Sequence, residues 1–153
     1  MPLDTSAIGK TRPGGTLLIT RSRLQLFAKA TGQTDPIFID VEAARAAGHP
    51  DLPVPPTFYA GVEWEIPDPL AYMVDLGIDL RFILHGGQEF IYHAQAHAGD
   101  ELSSSTVISD VYKKKGGALN FMISETSITN QNGDKIVTLI STIVVRQPAG
   151  ATS

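Results

Sequence analysis

Hydrophobic and polar positions change period about halfway along this chain. In the first half the apolar residues come in short groups separated by glycine and proline. Thr16–Thr20 (TLLIT) is apolar and β-prone behind Gly14 and Gly15, which predicts a strand. Ser22 then opens a capping box with Gln25, and Leu24, Phe27, Ala28 and Thr31 share one helical face. Gly32 is the natural residue just past the end, so Ser22–Thr31 is predicted as a helix. Gln33–Phe38 contains an X-Pro step and is extended or turned. Asp40 caps a second short helix, Val41–Ala47, closed by Gly48. A proline-rich loop, Gly48–Pro56, leads into Pro55–Pro67 (PPTFYAGVEWEIP), where Phe58, Val62 and Ile66 recur at four-residue spacing. Prolines are tolerated at a helix start and stop one that precedes them, and Thr57 is placed to cap, so this stretch predicts a buried central helix. Gly61 within it leaves a notch where a sheet could approach. Asp68–Phe82 reads as a short helix, Pro69–Leu76, followed by an irregular piece around Gly77.

The second half alternates. Gln88–Ala98 sets Phe90, Tyr92, Ala94 and Ala96 against Ile91, His93, Gln95 and His97. A turn at Ala98–Glu101 leads to a strand over Leu102–Tyr112, and Lys113–Gly117 (KKKGG) is a hairpin tip. Leu119–Thr129 follows, then Asn132-Gly133, a strong hairpin signal. Ile136–Arg146 is apolar on both faces and predicts a central strand. The order is strand, helices, central helix, then a four-strand antiparallel meander. That is an α+β arrangement with the helices on one face of the sheet. One domain is expected over the chain's 153 residues, with a core over about 16–146 and a small polar tail, Pro148–Ser153, that frays.

Composition narrows the class. With 42% hydrophobic and 18% charged residues the chain can bury a core. A net charge of −4 gives no general attraction to nucleic acid or anionic membrane, and no apolar run reaches a membrane-spanning length. The absence of cysteine removes disulfides, thiol nucleophiles and Cys-ligated zinc, and suits a reducing cytoplasm. There is no Walker loop, no G-x-G-x-x-G and no G-x-S-x-G, so no cofactor is expected.

The order of helix, Ala-Thr-Gly turn, X-Pro segment, proline-bracketed helix and long meander resembles the hot-dog fold. Phe27–Phe38 (FAKATGQTDPIF) is similar to the hallmark of MaoC-like (R)-specific enoyl-thioester hydratases and 3-hydroxyacyl dehydratases. Leu84–Leu102 and Val111–Leu119 resemble the N-terminal, FAS1-like half of that family. The resemblance implies chemistry that adds water across a 2-enoyl thioester or removes it. It uses an Asp and, five residues later, a His, in a run of the form G-D-x-N-P-x-H. Here the Asp position is Gln33, the Asn position Asp35 and the His position Phe38. Gln33 can hydrogen-bond a water but not take its proton, and Phe38 can do neither. Losing one general acid–base group costs ~10²–10⁴ in rate, so a chain lacking both is expected to be inactive alone. Some family members pair a degenerate half with an Asp/His-bearing half. The resemblance therefore implies a non-catalytic subunit for an acyl-CoA or acyl-carrier thioester, with Phe58 and Tyr59 near the acyl chain and a catalytic partner or a second copy beside it. Two rivals stand: a thioesterase or hydratase working through another group such as His85, and an acyl-CoA binding module.

The remaining chemical-looking residues divide similarly. His85 before Gly86 and Gly87 could line a thioester site, the glycines letting backbone N–H groups face an oxyanion; the alternative is a turn with a surface histidine. His93 and His97, four residues apart on one strand, are ~13 Å apart and cannot share a metal. Glu63 and Glu65 do not face each other on a helix and are expected at its solvent or interface edge. Lys113–Lys115 either keep a loop soluble or meet the phosphates of a carrier arm.

Overall fold

The computed structural model describes residues 3–146. The expected fraying of Pro148–Ser153 lies outside them. Five antiparallel strands form one sheet: β1 (Thr11–Leu18), β2 (Ile83–Tyr92), β3 (Glu101–Lys114), β4 (Leu119–Thr129) and β5 (Lys135–Arg146). Their order across the sheet is β1-β3-β4-β5-β2. The expected meander therefore holds for β3, β4 and β5 only. β2 crosses over to pair with β5, and β1 takes the place beside β3. β5 lies inside the sheet between β4 and β2, with Ile136, Val137, Thr138 and Leu139 all buried.

β1 begins five residues before the expected Thr16, and Leu3 and Ala7 ahead of it are buried too. Pro13 breaks a β pattern in sequence but is tolerated in an edge strand, where one side of the backbone has no ladder. Gly14 and Gly15 are the close-approach glycines. A Cβ on Gly14 would fall 1.5 Å from the Ser104 carbonyl oxygen, and one on Gly15 2.5 Å from that of Glu65. Gly61, expected to provide the notch, faces open space.

Three helices cross one face. α1 (Arg21–Thr31) is capped by Thr20, whose Oγ1 accepts from the Arg23 N–H at 3.3 Å. Ser22 thus lies inside the helix, and Gln25 reaches the Ile39 carbonyl instead of closing a capping box. Gly32 takes the left-handed conformation (φ 70°) and Gln33 N donates to Ala28 O, completing the helix end. α2 (Val41–Ala46) starts on the Asp40 cap as expected. α3 (Ala71–Asp75) occupies most of the expected Pro69–Leu76.

The central helix is shorter and tighter than its sequence suggests. It is a 3-10 segment, Phe58–Trp64, and Thr57 makes no side-chain cap. Tyr59 and Val62, three apart, point inward together, as the three-residue turn requires. They join Leu17, Leu24, Leu102, Ile128, Val137 and Leu139 in one core under α1. A second core, with Met73 from α3 and Ile108, Val111, Met122 and Ile143 from the sheet, fills the other half. Each fully buried Leu here contributes about 1.5–3 kcal/mol. Glu63, expected at a solvent edge, is buried. Its neighbour Glu65 is exposed and pairs with Arg23.

Candidate functional site

β2 stops pairing at Tyr92, opposite Val137, because β5 has only two residues left before its turn. The expected strand over Gln88–Ala98 therefore runs out of partner halfway. His93 N and Ala94 N both donate to Ile136 O, and the chain turns off the sheet edge. Ala96 then docks on the loop before the 3-10 segment: Val54 N donates to Ala96 O at 2.9 Å. Between this turn and the 3-10 segment lies a cleft of about 310 Å³, lined by Val54, Pro56, Tyr59, Tyr92, His93, Ala94 and Gln95.

The walls of the cleft are largely apolar, and its polar groups are two phenols, an imidazole and an amide. The Tyr59 hydroxyl accepts from Ala96 N at 3.3 Å and from Gln95 Nε2 at 3.5 Å. Burial pushes the Tyr59 phenol up to about 12, so it stays protonated at any physiological pH. The Tyr92 hydroxyl donates to Pro56 O at 3.0 Å. His93 Nε2 is 2.9 Å from Thr138 Oγ1. Among the described residues, no carboxylate lines the cleft to orient that imidazole or take a proton from it. This arrangement suits holding an apolar chain beside a polar head, and it lacks a nucleophile–base pair.

The expected site residues are dispersed. Tyr59 lines the cleft; Phe58 beside it packs edge-on against Phe27, ring centroids 5.3 Å apart. His85, Gly86 and Gly87 sit at the far end of β2, where His85 opposes Ile143. Seven residues of strand, about 23 Å, separate His85 from Tyr92. They are not a turn before a strand but a β-bulge within it. A Cβ on Gly86 would meet the Val144 side chain at 2.8 Å, so close packing on β5 accounts for that glycine.

Gln33, Asp35 and Phe38 form a short 3-10 turn after α1. Gln33 Oε1 accepts from Asp35 N at 3.0 Å, and Asp35 Oδ1 accepts from Ile37 N at 3.1 Å. Both polar side chains are spent on holding the turn. Phe38 is half-buried and carries no proton.

His93 and His97 do not share a strand, since β2 ends before both. His97 pairs instead with His49. No group of three or more His, Cys, Asp or Glu that could hold a metal is found among the described residues. Lys114 ends β3 and lies over the stacked rings of Tyr112 and Phe121, while Lys115 opens the hairpin tip.

Two features escaped the sequence. Tyr92, His93 and Gln95 line the cleft only because β2 leaves the sheet there, and their alternating pattern continues unbroken through the exit. The second feature is a buried ion pair. Arg12 Nη2 donates to Glu63 Oε2 at 3.0 Å, and Thr126 donates to the same oxygen. Charged residues so far apart in the chain carry no local signal of being partners.

Comparison with known proteins places these features. The family model described as "FAS1-like, dehydratase domain region" matches residues 6–139. A UPF0336 protein of Leifsonia xyli is 38% identical over 147 residues, which covers 95% of this chain and 97% of that relative. A chain of the HadBC (3R-hydroxyacyl-ACP dehydratase) complex from Mycobacterium tuberculosis superposes with a TM-score of 0.76 at 22% identity, over 92% of this chain and 99% of that one. A chain of the ChsH1–ChsH2 complex from the same organism gives 0.74 at 24% identity, over 93% and 90%. At these identities the structural likeness establishes the fold, and the hot-dog expectation holds. No helix of the described residues is long and apolar enough to cross a membrane.

Proposed function

This chain belongs to the FAS1-like dehydratase domain family, of MaoC-like hot-dog type, and on that premise we propose that it is the non-catalytic half of a two-chain acyl-thioester hydratase or dehydratase. The observation that carries this reading is the turn at Gln33–Phe38. The positions where the family motif has its Asp and His hold a Gln, whose side-chain oxygen accepts from Asp35 N, and a Phe. A partner bearing G-D-x-N-P-x-H supplies the proton transfers. This chain contributes the acyl cleft at Tyr59 and Tyr92, whose neutral hydroxyls and apolar walls hold a fatty acyl arm of a CoA or carrier thioester in the cytoplasm.

The sheet edges support a partner. β1 is blunted as an edge by Pro13 and its irregular register. β2 has ten residues, no proline and no lysine, and leaves Leu84, Ile91 and Tyr92 exposed along it. Such an edge favours another strand beside it. The two neighbours above are both described as complexes, which agrees with this assembly.

The test is to assay crotonyl-CoA hydration by the purified chain, by a partner chain carrying the intact motif, and by the two co-expressed. The expected result is no turnover from this chain alone, a co-purifying complex, and turnover in the complex. A turnover number of ~1–10³ s⁻¹ from this chain alone refutes the non-catalytic role. A monomer that co-purifies with no such partner refutes the assembly.

A further inference from the structure

Two residues that line the cleft at Tyr59 are joined across its mouth. Tyr92 is the last residue of β2, an edge strand, and is 51% exposed. Tyr59, its ring centroid 6.3 Å away, is 2% exposed. Tyr92 therefore stands on the solvent side of the cleft and Tyr59 at its floor. From that outer position the Tyr92 hydroxyl donates to Pro56 O at 3.0 Å. Pro56 belongs to the other wall, in the loop that leads into the 3-10 segment.

This link is the loose one of the two that cross the cleft. The other runs through Gln95, whose Nε2 donates to Val54 O, Ala96 O and the Tyr59 hydroxyl, in a part-buried setting. The Tyr92 hydroxyl has a single partner among the described residues, and its bond is exposed. Water replaces such a bond at small net cost, and an exposed side chain changes rotamer within nanoseconds. A strand added at the β2 edge would bond to the β2 backbone and leave the Tyr92 ring on the cleft side.

The size of the cleft gives that bond a consequence. A cavity of about 150 Å³ takes benzene, so this cleft of about 310 Å³ takes an acyl chain of about ten to twelve carbons. A four-carbon chain fills about a third of it and fits beneath the Tyr92–Pro56 bond. A chain of about ten carbons fills it as far as the mouth, where that bond stands.

We propose that Tyr92 is the chain-length gate of this cleft: its bond to Pro56 stays closed over a short acyl chain and breaks to admit a medium one. The proposal rests on the reading of the cleft as the acyl site. Admitting the longer chain exchanges one intramolecular hydrogen bond for bonds to water, which weakens its binding by about two- to tenfold. The short chain leaves the bond intact and is not penalised.

The experiment is calorimetric titration of the full chain with butyryl-CoA and decanoyl-CoA, both saturated and so not open to hydration. Tyr92→Phe keeps the ring and removes the bond. Tyr112→Phe, which removes a phenol hydroxyl near the hairpin tip, is the control. The expected result is that folded Y92F binds decanoyl-CoA about two- to tenfold more tightly than the parent, binds butyryl-CoA equally, and that Y112F matches the parent for both. Equal decanoyl-CoA affinity in the parent and folded Y92F overturns the gate and leaves the acyl reading standing. Equal tightening for both thioesters also overturns it, since Tyr92 would then not discriminate length. Binding of neither thioester to the parent or to Y92F overturns the acyl reading of the cleft, and the gate with it.

Discussion

Arg12 on β1 and Glu63 on the 3-10 segment meet at 3.0 Å in the interior, with about a tenth of each side chain exposed. Thr106 Oγ1 accepts from Arg12, Thr126 Oγ1 donates to Glu63, and the two hydroxyls are 2.8 Å apart. The pair ties the edge strand to the segment that covers the sheet. Removing one partner leaves a buried charge uncompensated, which typically costs about 3–5 kcal/mol. Glu63→Ala should therefore destabilise by about that much. The double change Arg12→Met with Glu63→Met should cost clearly less than Glu63→Ala, because a buried pair replaced by apolar groups leaves no orphan charge. Urea unfolding of the two variants decides it. A double variant weaker than Glu63→Ala would mean that the pair itself is the main source of stability.

A second prediction concerns pH. His49 Nδ1 and His97 Nε2 are 3.1 Å apart, and the pair clamps the Pro53 loop to the chain that follows β2. Burial, and then His49, hold the His97 imidazole below its ordinary range, against the opposing pull of Asp100 and Asp51. Arg21 holds Asp51 down to about 2, so that carboxylate stays charged throughout the relevant window. With the folded-state pKa depressed, the unfolded chain binds the proton first as pH falls. Stability is full above ~6.5 and declines as pH drops from there toward the folded value. Thermal melts from pH ~8 to ~5 should show this decline, and His97→Gln should flatten it. An identical slope in that variant would place the proton uptake elsewhere.

The glycines give a third. Gly61 is exposed and meets nothing, and its φ lies outside the left-handed range. Gly61→Ala should be neutral or stabilise by about 0.4–1 kcal/mol by restricting the unfolded chain. Gly15→Ala drives a methyl against the Glu65 backbone and should destabilise by about 1–3 kcal/mol. Differential scanning calorimetry on both variants tests the contrast. Equal effects would mean that the 3-10 segment shifts freely relative to β1.

That pair of glycines also shows what could be read from the chain. The ends of α1 and α2 were legible at Gly32 and Asp40, and the β4–β5 turn at Asn132-Gly133, because each is decided by residues within a few positions. What depended on distant partners was not. Alternation over Gln88–Ala98 shows that a strand is possible but not which neighbour it pairs with or where that neighbour ends. The prolines and the four-residue spacing of Phe58, Val62 and Ile66 pointed to an α-helix, while the three-residue spacing of Tyr59 and Val62 under the sheet goes with the tighter turn. Glu63 reads as a surface charge until Arg12 is placed against it by β1, a strand whose Pro-Gly-Gly run hid it.

The last prediction tests the proposed reading of Gln33 and Phe38 as the former Asp and His positions. The backbone at Gln33–Phe38 keeps the features the motif needs: Gly32 in the left-handed conformation, and Pro36 at the start of the turn. Gln33→Asp, Asp35→Asn and Phe38→His together should leave that turn intact. An Asp side chain accepts from the N–H two residues on, as Gln33 now does from Asp35 N, and Asn replaces Asp as a cap toward Ile37 N. The carboxylate introduced at position 33 would then take a proton from the attacking water, and the histidine introduced at position 38, in its protonated form, would give one to the substrate α-carbon. Neither single change should give activity, because the two groups work as a unit. The gain will be modest. A dyad needs supporting hydrogen bonds, and the half-buried pocket of Phe38 would depress the new imidazole. The triple variant should still exceed the parent by at least roughly tenfold, one order below a typical single acid–base contribution. Crotonyl-CoA hydration, followed by loss of the conjugated thioester absorbance on protein checked for folding, measures it. A folded variant that binds the thioester with no gain would show that this turn does not face the bound acyl group, and that the catalytic centre of the family lies elsewhere in this chain.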